Sequence, residues 1–199
     1  MDAAQAYIDD QLAQFERLVS SNPTVAAVLT LAHDLDLPNW YLTAGAVFQT
    51  VWNCVTRRDP EQGIRDYDLV YFDRSDISWE AEDAVIRRVG ERFGELAEVV
   101  EVRNQARVHL WYEQKFGRPC SAHPNSESAI DAFAATTCCF GIRLDGNKRT
   151  RVYAPHGFAD LFALVLRPNP VLAPREVYEA KAARWSSEWP ELRVLPWPS

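Results

Sequence analysis

Apolar residues recur at helical spacing near the start of the chain. Ile8, Leu12, Phe15 and Leu18 share one stripe, which predicts a helix over residues 3–20. Ser20-Ser21-Asn22-Pro23 ends it, and Pro23, suited to a first helical turn, opens a second helix over about 24–34 with Val25, Val28, Leu29 and Leu31 apolar. After the turn Asp36-Leu37-Pro38-Asn39, Trp40-Tyr41-Leu42 reads as a short strand. Thr43-Ala44-Gly45-Ala46 is a tight junction into a helix over about 46–57 that sets Val47, Val51 and Val55 on one face. A polar loop containing Pro60 leads to Asp66-Tyr67-Asp68-Leu69-Val70-Tyr71-Phe72-Asp73, a strand-like run.

Beyond it the pattern predicts a helix over about 79–94, a strand Val99-Val100-Glu101-Val102, a helix from Asn104 to Phe116, and a loop from Pro119 to Ser128. Ser126-Glu127-Ser128 caps a short helix through Phe133, and strands over about 136–143 and 149–154 flank the hairpin turn Leu144-Asp145-Gly146-Asn147. A short apolar helix, Phe158 to Leu166, a rigid Arg167-Pro168-Asn169-Pro170 loop, a last helix over 174–188 and a tail rich in Pro and Trp complete the chain. The expected architecture is α/β (α+β), with a mixed sheet of about four to five strands flanked by helices. The hairpin breaks strict β-α-β alternation, and no glycine-rich dinucleotide fingerprint or Gly-Lys-Ser/Thr phosphate loop is present. Residues 1–199 read as one domain, with N-terminal helices over about 3–34 and a C-terminal helical extension over about 157–199.

Composition narrows the partners. The 199 residues are 47% hydrophobic and 25% charged, with seven Trp, seven Tyr and nine Phe to fill a core. A net charge of -7 argues against a nucleic-acid partner held by counterion release. No apolar run approaches membrane-spanning length, and the acidic start Met1-Asp2 does not read as a signal peptide, which places the protein in the cytoplasm. Cys54, Cys120, Cys138 and Cys139 lack a Cys-x-x-Cys pair and read as reduced thiols; a zinc site from Cys120, His123 and the Cys138/Cys139 pair matches no common spacing.

The chemistry centres on Asp66 and Asp68. Residues i and i+2 of a strand face the same way, so two like charges stand side by side, an arrangement that a hard divalent cation such as Mg²⁺ relieves. Two further pieces join them. Gly45, at a strand-to-helix junction, lets backbone approach a phosphate while the helix N-terminus presents unpaired N–H groups. Glu101, a lone carboxylate in an apolar strand, is explained by a shared metal or, alternatively, by a charge pair with Arg103 or Arg107. Two Mg²⁺ ions bridging Asp66, Asp68 and Glu101 make a phosphoryl-transfer site for an NTP. Arg103, Asn104, Arg107 and His109 read equally as a phosphate or acceptor clamp and as a helix start with Asn104 as N-cap. The basic hairpin tip (Arg143, Lys148, Arg149, Arg151) reads as a solvated turn, and His33-Asp34 as a helix C-terminus.

Four segments carry a resemblance to a known family: Ala44-Gly45-Ala46-Val47 with Thr50-Val51-Trp52-Asn53; Ile64-Arg65-Asp66-Tyr67-Asp68 with Tyr71-Phe72-Asp73; Val102-Arg103-Asn104-Gln105-Ala106-Arg107-Val108-His109-Leu110-Trp111-Tyr112; and Ala154-Pro155-His156-Gly157-Phe158-Ala159-Asp160-Leu161-Phe162. They resemble the nucleotidyltransferases of the DNA polymerase beta-type fold and, more closely, a bacterial nucleotidyltransferase family of unassigned substrate. The resemblance implies that fold, Mg²⁺ dependence and nucleotidyl transfer, and it implies no acceptor; the expected reaction is transfer of a nucleoside monophosphate from an NTP to a hydroxyl on a small molecule or protein. On the resemblance Asp66, Asp68 and Glu101 are the catalytic metal ligands, and Gly45 and Ala46 contact the phosphates. Ala46 stands where such motifs carry Gly or Ser, and the span from Gly45 to Asp66 is long. Both features suit an alternative, a degenerate member that binds a nucleotide without transferring it.

Overall fold

The computed structural model describes residues 3–198. Two helices, α1 (Ala3–Val19) and α2 (Pro23–Leu35), precede the short strand β1 (Tyr41–Thr43) and helix α3 (Gly45–Val55). Strand β2 (Tyr67–Tyr71), helix α4 (Trp79–Phe93), strand β3 (Val100–Asn104) and helix α5 (Val108–Phe116) follow. Next come α6 (Ser126–Ile130), the hairpin β4 (Gly141–Leu144) and β5 (Thr150–Tyr153), α7 (Ala159–Phe162), β6 (Val165–Leu166), α8 (Arg175–Glu188) and β7 (Arg193–Val194). The main sheet has five strands in the order β3-β2-β1-β4-β5. Its β2–β3 pair is parallel and the other pairs antiparallel, so the sheet is mixed as the hairpin predicts.

The alternation along β2 assigns the two faces of the sheet. Tyr67, Leu69 and Tyr71 enter the main core with α1, α2 and α3. Val70 points the other way, where it joins Tyr41, Ile130 and Cys139 in a small cluster flanked by Phe133 and Tyr153. At the edge of that cluster Gly141 is required by space: a Cβ there would stand 2.8 Å from the Tyr41 ring and 2.9 Å from Ile130. Much of this second face stays open, and the functional cleft lies on it.

Helix α3 is buried from Gly45 through Asn53, as suits a helix apolar nearly all round. Phe48 and Trp52 pack at ring-centroid distances of 5.0 and 6.0 Å against Trp185 of α8, and Trp52 lies 5.5 Å from Trp189. The Trp189 indole N–H donates to Asn53 Oδ1 at 2.9 Å. Asn53 Nδ2 in turn donates to the carbonyls of Pro60 and Gln62 at 3.1 and 2.8 Å. Buried Asn22 donates to Thr50 Oγ1 at 3.0 Å and to the Pro60 carbonyl at 3.4 Å. These bonds fasten the long polar loop ahead of Asp66 to α3, and they bind the C-terminal helix to the same element.

Three local expectations are corrected. The predicted strand over 136–143 begins as a 3-10 turn, Thr136–Cys138, and becomes extended only at Gly141. The Thr137 hydroxyl donates to the Val165 carbonyl at 2.8 Å and accepts the Arg167 N–H at 3.1 Å, a local link that competes with strand pairing. The apolar helix predicted through Leu166 ends at Phe162; Leu164 takes a left-handed φ of 53°, and Val165–Leu166 pair in parallel with β7. Helix α6 is capped by Asn125, whose Oδ1 accepts the Ser128 N–H at 2.8 Å, and it stops at Ile130 rather than Phe133.

Candidate active site

A cleft of about 880 Å³ opens over the exposed sheet face, and Asp66, Asp68 and Glu101 line one end of it. Parallel pairing sets Asp68 directly opposite Glu101, and antiparallel pairing sets it opposite Thr43. The three carboxylates therefore occupy adjoining positions on one face. The junction between β1 and α3 brings Gly45 beside them: a Cβ on Gly45 would lie 3.9 Å from Asp66 Oδ1 and 2.8 Å from the amide nitrogen of buried Gln49. A methyl group at position 45 would displace that amide and narrow the approach to the helix N-terminus.

The junction itself is strained. Ala44, the residue ahead of α3, has φ 54° and ψ -135°, a region open almost only to glycine. In this conformation its carbonyl accepts the Val47 and Phe48 N–H groups at 3.0 and 3.3 Å. The amides of Gly45 and Ala46 stand ahead of the intrahelical ladder, at the positive end of the helix dipole.

Charge is unevenly compensated around the acids. Burial pushes the Asp68 carboxyl up to about 7; the neighbouring charges of Asp66 and Glu101 push the same way, and Lys181 and Arg103 oppose them. Asp66 is exposed. Glu101 is turned towards Arg103, whose Nη2 donates to Glu101 Oε1 at 2.6 Å, so the charge-pair alternative for this residue is the one that the side chains adopt. Among the described residues no three His, Cys, Asp or Glu side chains stand close enough together to hold a metal ion. Asp66 and Asp68 still suit a hard cation: both donors are carboxylate oxygens, and Asp68 carries a charge that its surroundings disfavour.

The basic cluster after β3 mostly serves the wall of the cleft. Asn104 donates to the Asp73 carbonyl at 2.7 Å and accepts the Asp73 and Ala106 N–H groups at 3.0 and 3.1 Å. Arg107 forms a buried ion pair with Glu82 and donates from Nε to the Ile77 carbonyl at 3.0 Å. Glu82 also accepts the Asn104 N–H at 2.8 Å. His109 does not line the cleft. The other histidine pattern is also structural: Asp34 pairs with Arg92 at 3.0 Å, joining α2 to α4.

Cations not read from the sequence line the cleft instead, Lys115 of α5 and the pair Lys181 and Arg184 of α8. Neither of the α8 pair has an ion-pair partner among the described residues. Both rest on the Trp185 ring, at 5.5 and 5.6 Å from its centroid. Their position follows from Trp185 packing on Phe48 and Trp52, a long-range contact that no local pattern announces.

A nucleotidyltransferase family model matches residues 30–194, most of the chain. The protein belongs to that nucleotidyltransferase family. This nucleotidyltransferase also shares its fold with a solved NMR structure described as revealing a CCA-adding enzyme head domain. The TM-score is 0.74 at 23% identity, over 95% of this chain and 96% of the other. No curated protein matches. The expected mixed sheet and nucleotidyltransferase fold are thus present, and the protein is a transferase of nucleotidyl groups. None of the described helices is long and apolar enough to cross a membrane.

Proposed function

We propose that the chain, acting as one nucleotidyltransferase unit, transfers a nucleoside monophosphate from an NTP to an acceptor hydroxyl with the help of Mg²⁺. The observation that carries this reading is the Asp66/Asp68 pair beside the α3 N-terminus, with Asp68 held up at about 7. Asp66 and Asp68 would hold the cation, and Glu101 would join them on leaving Arg103. A pair of Mg²⁺ ions bound there supplies Lewis acidity and charge neutralisation at the phosphates.

The chain's own groups do the positioning. The amides of Gly45 and Ala46 receive phosphate oxygens, and Lys181 and Arg184 neutralise the triphosphate from the α8 side. The acceptor oxygen attacks the α-phosphorus and forms a new P–O bond. The bond from that phosphorus to the bridging oxygen breaks, and pyrophosphate leaves with the electron pair. The acceptor proton passes to a carboxylate, with Glu101 placed to take it. Arg103 sets when Glu101 is free to do so, and Asn104 and Arg107 hold the wall from which both residues project.

Pyrophosphate release from each NTP, with Mg²⁺ and a metabolite pool, tests the reading. Asp68→Asn should lower it by about a thousandfold, equivalent to about 4 kcal/mol, without lowering the melting temperature. Retained activity in that variant would sink the assignment. Calorimetry with a non-hydrolysable NTP and Mg²⁺ separates the second reading, because tight binding with no release on any acceptor describes a nucleotide sensor.

A further inference from the structure

The lining of the cleft has two parts, or arms, that differ in chemistry, and Asp68 feels a cation of each, Lys181 of α8 and Arg103 of β3. The α8 arm carries two cations without ion-pair partners among the described residues. The second arm runs from β3 along α5 and is apolar and aromatic, with Trp79, Val108, Leu110, Trp111 and Phe116 among its lining residues. Its acids and arginines are paired, and its lysine sits over two rings. Glu82 pairs with Arg107, Glu101 pairs with Arg103, and the Lys115 ammonium lies 5.4 Å from the centroids of both the Trp111 and Phe116 rings.

Trp79 is the unusual member. It is 63% exposed, although its ring is fixed from one side by the Arg107 guanidinium at 5.6 Å. That guanidinium is itself held by Glu82 and the Ile77 carbonyl, so the indole is a supported platform rather than a loose surface side chain. Leu110, 52% exposed, lines the same arm. An aromatic surface held rigid and left uncovered stacks a flat ring at little entropic cost.

Resting on the function proposed above, we infer that the β3–α5 arm is the acceptor site and that it takes a small aromatic alcohol or phenol. The triphosphate is drawn to the opposite arm, where its charge finds Lys181, Arg184 and the α3 N-terminus. The remaining arm offers mainly ring contacts, with Lys115 as a cation outside an ion pair among the described residues, which suits a flat ring better than a phosphate-rich acceptor. A ring stacked on Trp79 presents its hydroxyl towards the carboxylate end of the same cleft. That oxygen forms the new bond to the α-phosphorus of the NTP, pyrophosphate departs, and the proton goes to a carboxylate.

Ligand-observed NMR on the full chain tests this with four probes, 2-phenylethanol, 4-hydroxybenzyl alcohol, inositol and adenosine, each with and without a non-hydrolysable ATP analogue and Mg²⁺. The two aromatic alcohols should bind in both conditions. Their affinity should fall about fivefold or more in Trp79→Ala and in Leu110→Ala, as expected for the loss of one well-packed contact, and should be unchanged in Lys181→Ala. Both substituted side chains are largely exposed, and circular dichroism checks that the variants fold. Displacement of the alcohols by the ATP analogue, or adenosine binding that is lost in Trp79→Ala, would make this arm a nucleobase site and overturn the inference. Preference for inositol, or no binding of either alcohol by a protein that binds the analogue, also overturns it. A protein that binds no nucleotide sinks the function reading itself, which keeps the two failures apart.

Discussion

Two carboxylates line the same cleft and are treated in opposite ways. Glu82 is buried, paired with Arg107, and accepts the backbone N–H of Asn104. Asp68 is also drawn into the protein, yet its nearest charges include two further acids, and its carboxyl is pushed up to about 7. The first arrangement holds β3 and its following turn on α4. The second leaves a charge that folding does not compensate, beside a helix N-terminus and two cations without partners. The contrast separates an acid that folding pairs from one that it leaves uncompensated, and sequence distance alone would not have drawn that line.

The largest way to break the comparison is to remove the partner that Asp68 lacks and Glu82 has. Arg107→Ala should destabilise the fold by about 3 kcal/mol, because it leaves Glu82 buried and unpaired; urea denaturation measures it, and Glu82→Gln in the same background should recover part of the loss. Asp68→Asn should act with the opposite sign. The folded carboxyl titrates near 7 against an ordinary value of 3.8, so the folded state holds its proton more tightly than the unfolded one. The wild type therefore loses stability as the pH rises from about 4 to about 7, and the full cost is present above that window. A rise from 3.8 to about 7 is worth about 4 kcal/mol at full strength, and solvent screening of the half-buried carboxylate lowers this, so the variant should be more stable than the wild type by about 2 kcal/mol at pH 8 and equal to it below about pH 4. A gain that did not vary with pH would break the assignment of the strain to this charge. The smallest effect belongs to Ala44: glycine relieves φ 54° at the cost of a more flexible unfolded chain, for a net gain of about 1 kcal/mol by thermal denaturation.

What could be read from the sequence follows from how local the cause is. The helices α1 to α4 appear within one or two residues of their predicted ends because each carries its own stripe and stop signal. Asp66, Asp68 and Gly45 were legible as a group because a strand period and a glycine junction are short-range signals. The pairing of β6 with β7 was not: each strand has two residues, and Val165–Leu166 sits in an apolar run that reads as helix until a distant segment supplies its partner. Lys181 and Arg184 were missed for the same reason. On α8 they look like ordinary surface charges, and only the packing of Trp185 against Phe48 and Trp52 brings them to the acids. Arg107 shows the reverse case, since its sequence neighbours leave a phosphate clamp and a helix start equally open while its tertiary partner Glu82 builds it into the wall.

The indole cluster that seats α8 on α3 has an optical consequence. Trp52, Trp185 and Trp189 lie in a dry seam within about one ring's width of each other, while Trp79 stands in solvent at the mouth of the cleft. Buried and exposed indoles emit at different wavelengths, so the seam adds to the blue side of the fluorescence of the seven Trp and Trp79 to the red side. If the two proposals above hold, a phosphate at Lys181 and Arg184 would perturb the cations over the Trp185 ring, and a ring at the mouth would quench Trp79. The two halves of the proposed reaction would then be read, without any label, at opposite sides of one spectrum.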